Sequence, residues 1–142
     1  MRALFAELIR HRVLLEGIVL KANMVLAGLA HPQQPAVDEV ASAIVQCLLR
    51  SVPAAVPAIA FLSGGQSSPL ASERLNAINA GFRSAMPWAV SFSFARALQQ
   101  PALEIWGGDN AHSAAAQAAL NRRAQLSRAA RRGETRSEME SA

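Results

Sequence analysis

Short apolar runs alternate with longer amphipathic segments along the 142 residues of the chain. Three runs, at about residues 16–21, 58–62 and 88–94, have the length and the apolar character of buried strands. The other segments repeat their apolar positions every three or four residues, as one face of a helix does. These helical segments cover about residues 1–12, 37–50, 68–81, 95–106 and 110–131. Helices that alternate with strands predict an α/β fold with parallel strands joined by helical crossovers.

The strands are short and apolar on both faces, as is typical of a sheet that is covered by helices. The third strand adds a difference in side-chain size between its two faces: small Ala89, Ser91 and Ser93 against bulky Val90, Phe92 and Phe94. A narrow interior and a helix-packed exterior are typical of a (β/α)8 barrel, which needs roughly 250 residues. Since three strands cannot close a barrel, we expect a partial TIM barrel, its C-terminal portion.

The distribution of charge leaves two interpretations of the C-terminal region. The formal net charge is +4, and six arginines lie between residues 122 and 136 with Glu134 as the one acid among them. This segment could contact nucleic acid, or it could be a solvated helix that frays into a disordered polar tail over residues 132–142. The second interpretation is favoured, because no aromatic side chain interleaves the arginines to stack on bases. We expect no nucleic-acid partner.

Hydropathy and the numbers of cysteines and histidines limit which compartment, partners and metals we expect for the protein. No run reaches the roughly 18 apolar residues that a membrane-spanning helix needs, so we expect no membrane partner. The single cysteine, Cys47, excludes a disulfide within the chain, and a reducing cytoplasm fits best. His11, His31 and His112 lack the spacing of metal ligands, so we expect no bound metal.

Residues with chemical potential follow all three predicted strands. Lys21, the one lysine of the chain, ends the first strand, Ser63-Gly64-Gly65 follows the second, and Arg96 follows the third. An amine held in a desolvated setting favours the neutral form that attacks carbonyls, and two glycines let backbone amides turn toward an anion. Taken singly, these residues could be a solvated lysine, an ordinary turn and a solvated arginine. Their shared position after consecutive strands favours an enzyme acting on a phosphorylated carbonyl compound.

Several segments, in order, resemble the class I (Schiff-base) fructose-1,6-bisphosphate aldolases. Residues 15–25, LEGIVLKANMV, resemble the Schiff-base strand of that family, and residues 61–67, FLSGGQS, resemble its seventh-strand phosphate loop. The likeness continues at residues 75–79, 87–89, 92–98 and 106–108. The resemblance implies that residues 1–131 hold about the sixth to eighth strands of the family's barrel with their helices.

The resemblance also implies a role for each matching residue. Lys21 matches the lysine that forms an imine with the substrate ketone, and Ser93 falls where the family has a serine near that imine. The matches for the phosphate-binding residues are Ser63, Gly64, Gly65 and Arg96. The family cleaves fructose 1,6-bisphosphate reversibly into dihydroxyacetone phosphate and glyceraldehyde 3-phosphate without a metal or other cofactor. Its members are usually homo-oligomers.

Departures from the family pattern keep other interpretations open. The chain has Ala22 where the family has proline, and Phe94-Ala95 where the family has Tyr-Gly. The loss of that glycine could crowd a backbone amide near the phosphate.

The acid and base residues of the family's first five strands would precede Met1. The chain could therefore be part of a working enzyme, completed by another chain or by an upstream segment of its gene. It could also be an inactive remnant that at most associates with barrel proteins, or another Schiff-base barrel aldolase.

Overall fold

The computed structural model describes residues 1–28, 30–136 and 138–141, and within them it contains a three-stranded parallel sheet with α-helices packed against it. The strands are β1 (Val19–Ala22), β2 (Ala58–Phe61) and β3 (Ala89–Phe92), and they lie side by side in that order. The α-helices are α1 (Arg2–Arg10), α2 (Val37–Leu49), α3 (Ser68–Phe82), α4 (Arg96–Trp106), α5 (Ser113–Arg132) and α6 (Glu138–Ser141). The prediction of an α/β fold with alternating helices and parallel strands is confirmed.

The first strand begins later than its sequence predicts. Residues 15–17 form a short 3-10 helix, in which the Gly17 backbone N–H donates to the Leu14 carbonyl at 3.1 Å. The β1 strand starts only at Val19, because Glu16 and Gly17 at the start of the predicted run form an exposed turn instead of a strand. The last helix that the sequence predicts, α5, also starts later, at Ser113, after a 3-10 turn over Asn110–His112.

The parallel pairing fixes which residues lie next to each other across the sheet. Lys21 pairs with Ala60, and Ala60 pairs in turn with Ser91. The ladder continues past the ends of the strands, since the Leu62 N–H donates to the Ala22 carbonyl and the Ser93 N–H donates to the Phe61 carbonyl, both at 2.8 Å. The segments that follow the three strands therefore leave the sheet at one common edge.

The two faces of the sheet differ in their surroundings. The covered face carries the buried side chains of Leu20, Ile59, Phe61 and Val90, which belong to one core with apolar residues of α2, α3, α4 and α5. The open face carries Val19, Lys21, Ala58, Ala60, Ala89 and Ser91, which are all exposed or partly exposed. Val19 keeps 60% of its surface exposed. Among the described residues, the helices therefore pack on one face of the sheet only.

The described residues near the end of the chain make several polar contacts with α3 and α5. The Arg123 guanidinium, 7% exposed, forms an ion pair with Glu140 at 2.6 Å and donates to the Ser68 carbonyl and the Ser72 hydroxyl at 2.7 and 2.9 Å. The Thr135 N–H donates to Asn76 Oδ1 at 2.9 Å. The described part of residues 132–142 thus packs on α3 and α5, because one of the arginines interpreted as solvated points inward. The domain boundary at residue 131 stays a prediction.

Candidate active site

Lys21 lies at the third position of β1 on the open face of the sheet, with its side chain exposed. Its strand neighbour is Ala60, whose small side chain leaves the space beside the lysine free of bulk. The expectation of a desolvated amine is wrong for the described residues, because no second layer covers this face. The amine is accessible to a small molecule that approaches the open face.

The segment after β2 forms a tight turn of glycines. The backbone N–H of Gln66 donates to the Ser63 carbonyl at 3.0 Å, and Gly64 and Gly65 between them have φ angles of +59° and +85°. Two consecutive positive φ angles define a type I′-like turn, a conformation that residues with a Cβ adopt only at a cost. Ser63 is 7% exposed, whereas its two glycine neighbours lie at the surface. The turn thus presents bare backbone at the common edge of the sheet.

Asn23 joins the lysine strand to this turn, a contact that the sequence analysis did not identify. A Cβ atom at Gly64 would overlap the side-chain amide of Asn23, so the two segments approach as closely as a glycine allows. Asn23 is two residues beyond Lys21, and the alternation of side chains along an extended chain directs both toward the same side. That alternation is the signal that could have indicated Asn23 from the sequence.

Two further side chains that the sequence analysis did not identify hold the turn from behind. Gln66 Nε2 donates to the Ser63 carbonyl at 2.8 Å, and Arg74 Nη1 donates to Gln66 Oε1 at 2.8 Å. Arg74 is 2% exposed, and its burial lowers the pKa of the guanidinium, while the nearby charge of Glu73 acts in the opposite direction with less effect. A helical arginine eight residues beyond a turn gives no sequence signal of this contact.

Arg96 and Ser93 follow β3 at the same edge of the sheet. Arg96 is the first residue of α4 and is exposed, where its charge and the amides of the helix N-terminus face the same solvent region. Ala95, before it, has φ −100°, so the alanine at this position does not require the left-handed conformation that favours glycine. Ser93 is partly buried, and its backbone N–H extends the sheet ladder.

Taken together, these residues form a rim along one edge of the sheet. The contact between Asn23 and Gly64 brings the lysine strand and the glycine turn together, whereas Arg96 shares the edge through the strand order. An accessible amine, a backbone turn and a surface guanidinium can receive a carbonyl compound that also carries an anionic group. The fold and site thus define an α/β protein with a candidate lysine-nucleophile and anion site at the carboxyl ends of its strands.

Comparisons with known proteins identify the family to which this α/β protein is similar. The family model described as fructose-bisphosphate aldolase class-I matches residues 1–142. The chain is 48% identical over 132 residues to the muscle-type fructose-bisphosphate aldolase of Lethenteron camtschaticum, covering 93% of this chain and 36% of that protein. It is 51% identical over 122 residues to cytoplasmic isozyme 2 of Pisum sativum, covering 86% and 33%.

A solved structure agrees with these relatives. The fructose-bisphosphate aldolase of Plasmodium falciparum, determined in complex with TRAP and a small-molecule inhibitor, superposes with a TM-score of 0.90 at 41% identity, covering 95% of this chain and 38% of that one. The chain therefore belongs to the class I fructose-bisphosphate aldolase family, as its sequence predicts. It spans about a third of the length of the curated relatives that it matches. Among the described residues, no helix is both long and apolar enough to span a membrane.

Proposed function

We propose that this chain supplies the imine-forming lysine and the phosphate-binding rim of a class I fructose-bisphosphate aldolase. In this proposal β1, β2 and β3 are about the sixth, seventh and eighth strands of a TIM barrel, and the open face is the barrel interior. The observation that carries the proposal is the contact of Asn23 with Gly64, which sets the Lys21 strand against the glycine turn. A ketose phosphate needs these two features side by side.

The chemistry follows from the residues on the rim. The Lys21 amine adds to the ketone carbon of fructose 1,6-bisphosphate, and loss of water gives an imine, whose protonated form withdraws electrons. Cleavage of the C3–C4 bond then releases glyceraldehyde 3-phosphate and leaves an enamine on the lysine. Protonation of the enamine and hydrolysis of the imine release dihydroxyacetone phosphate. Ser93 would stand near the imine, and by the family resemblance the proton-transferring acids and bases come from strands outside this chain.

The phosphate group would be held at the glycine turn and at the start of α4. The Ser63, Gly64 and Gly65 segment offers backbone N–H groups, and the Arg96 guanidinium offers a charged fork suited to phosphate oxygens. Glycine at position 64 matters because its φ of +59° is strained for a residue with a Cβ, and because a Cβ there would force the Asn23 side chain to move. The phosphate contacts orient the ketone carbon toward the amine, which is how binding energy away from the reacting atoms accelerates a reaction.

The open face also bears on the partners of the chain. Its exposed apolar and small residues would be covered by the remaining barrel strands, supplied by another chain or by a longer form of this one. An inactive remnant and a different Schiff-base aldolase are the competing proposals. In keeping with its relatives, some of which are named as cytoplasmic isozymes, we propose a cytoplasmic, oligomer-forming protein that acts on phosphorylated sugars or trioses without a metal or cofactor.

Trapping of the imine tests the proposal directly. Borohydride added with dihydroxyacetone phosphate should reduce the imine and leave a covalent adduct on Lys21, located by peptide mass spectrometry. Because Lys21 is the one lysine of the chain, the Met1 amine is the one competing site, and Lys21→Arg is the control. Dihydroxyacetone, which lacks the phosphate, should label more weakly, and Arg96→Ala should reduce that difference. Equal labelling of Lys21 and Met1 would contradict a competent site.

Complementation separates a working part from a remnant. The chain is mixed with the remaining two-thirds of the Lethenteron relative, produced as a separate polypeptide, and cleavage of fructose 1,6-bisphosphate is measured. A working part should restore cleavage, and Lys21→Met should abolish it. Formation of a complex without any cleavage would favour the remnant, which associates with barrel proteins but does not act.

A further inference from the structure

Arg74 is a buried cation directly behind the proposed phosphate turn. It extends from α3 and is 2% exposed, and its Nη1 atom donates to Gln66 Oε1 at 2.8 Å. Gln66 is the last residue of the turn, and its Nε2 atom donates back to the Ser63 carbonyl at 2.8 Å and lies 3.4 Å from Met24 Sδ. One side chain thus connects the buried guanidinium to the residue that opens the turn.

The charge of Arg74 is not neutralised by a carboxylate within the part of the chain that the structure describes. The four salt bridges among the described residues involve other side chains, and Glu73, the neighbour of Arg74 on α3, is exposed. The buried Nε atom of Arg74 has no hydrogen-bond partner among the described residues, which is also true of Arg123 Nε, so the two arginines differ only in the partners of their terminal nitrogens. A buried guanidinium without a counter-charge is costly unless an anion compensates it.

The second buried arginine shows what ordinary compensation looks like in this fold. Arg123 is buried to a similar degree, but it pairs with Glu140 at 2.6 Å and also donates to Ser72. Arg74 instead donates to the neutral amide of Gln66. The two arginines are buried to a similar degree but differ in their partners. The counter-charge of Arg123 is Glu140, a residue of the fold, whereas Arg74 contacts the neutral Gln66 at the turn.

We propose that Arg74 and Gln66 are positioning residues of the phosphate site, and that the substrate phosphate supplies the counter-charge that Arg74 lacks. This inference rests on the proposed function of the turn. Gln66 holds the Ser63 carbonyl on the protein side, which directs the amides of the two glycines outward. The Arg74 charge, screened little by water, strengthens the attraction of the turn for an anion.

Phosphate binding by the chain tests this inference without requiring the imine. Inorganic phosphate is titrated into the 15N-labelled chain, and its Kd is taken from the NMR shifts of the Gly64 and Gly65 amides. Arg74→Gln should raise the Kd about tenfold, the size expected when a charge-assisted contribution is removed. Gln66→Leu should raise it by a similar factor. Arg74→Lys, which keeps the charge, should bind more tightly than Arg74→Gln.

A matched control removes the effect of stability alone. Asn79 is also buried on α3, at the opposite end of the helix from the turn, where it donates to the Leu75 carbonyl at 3.0 Å. Asn79→Ala should lower the melting temperature but leave the Kd within about twofold, because it removes a structural contact away from the turn. A Kd for Arg74→Gln as close to the parent as that of Asn79→Ala would overturn the inference. Equal weakening by Arg74→Lys and Arg74→Gln would overturn the role of the charge.

The phosphate titration and the borohydride trapping together distinguish a failure of the Arg74 inference from a failure of the proposed function. Phosphate binding that depends on Arg74, without borohydride trapping at Lys21, would support the positioning role and contradict the imine. Trapping at Lys21 with a phosphate Kd independent of Arg74 would support the imine and contradict the positioning role. Glycine amides that do not shift with phosphate in the parent chain would overturn both the phosphate turn and the role of Arg74.

Discussion

The covered and open faces of the sheet are built from alternate residues of the same short strands, yet they differ in almost every physical property. Ile59 and Ala60 are neighbours on β2; Ile59 is fully buried in the core, whereas Ala60 lies partly exposed beside Lys21. The covered face carries bulky apolar side chains, and the open face carries small ones, an exposed Val19 and a single amine. The difference teaches that stability and chemistry are assigned to opposite sides of the sheet.

This division has a physical reason. Burial of large apolar side chains is the main favourable term in folding, and it needs close packing, which the helices on the covered face provide. A reaction site needs space and accessible polar groups, which small side chains and the turn after β2 provide. Substitutions on the two faces should therefore have separable effects on stability and on labelling of Lys21.

The largest effect on stability is expected on the covered face. Ile59→Ala should lower the free energy of unfolding by about 2–5 kcal/mol, because it removes a fully buried side chain and leaves a cavity. Its matched control on the open face, Ala60→Ser, should change that free energy by less than about 0.5 kcal/mol. Urea unfolding followed by circular dichroism measures both. Equal losses for the two variants would break the distinction between the faces.

A smaller effect is expected at the edge where the faces meet. Gly64→Ala should cost about 1–3 kcal/mol, since it combines a strained positive φ with a collision against Asn23. Gly65→Ala shares the positive φ, but a Cβ there would have nothing within 4 Å, so it should cost less. The difference between the two isolates the Asn23 contact, and thermal unfolding measures it. A Gly64→Ala variant no less stable than Gly65→Ala would contradict that contact.

The smallest effect on stability is expected at the proposed nucleophile. Lys21→Met should change the free energy of unfolding by less than about 0.5 kcal/mol, because the side chain is exposed. The same variant should show no borohydride-dependent adduct at position 21. Unfolding curves and mass spectrometry on one sample give both values. A destabilisation as large as that of Ile59→Ala would mean that Lys21 has a structural role, and it would undo the assignment of chemistry to the open face.

The sequence predicts much of the local structure because local structure depends on spacing. The repeat of apolar positions gave the span of α2 to within a residue, and the alternation on the third strand separated Val90 and Phe94, both buried, from exposed Ala89. The resemblance gave the family, which the comparisons confirm. The roles of the rim residues stay predictions.

Other predictions fail where the outcome depends on what lies beyond the strand itself. An apolar run does not reveal which of its faces meets a helix, so the expectation of a desolvated Lys21 is wrong for the described residues. The arginine-rich C-terminal segment has an average composition that indicates solvent exposure. One member, Arg123, nevertheless turns inward to Ser72 and Glu140.

The amino-acid sequence by itself determined the order of helices and strands, the residues after each strand and the family, because these depend on periodicity and on short local sequence segments. The tertiary structure alone decided that one face of the sheet is open, that Asn23 touches Gly64, and that Arg74 reaches the turn through Gln66. Each of these features joins residues that are distant in the chain or depends on which side a helix packs. These features depend on strand register and on side-chain direction, and a local sequence pattern contains no information about either.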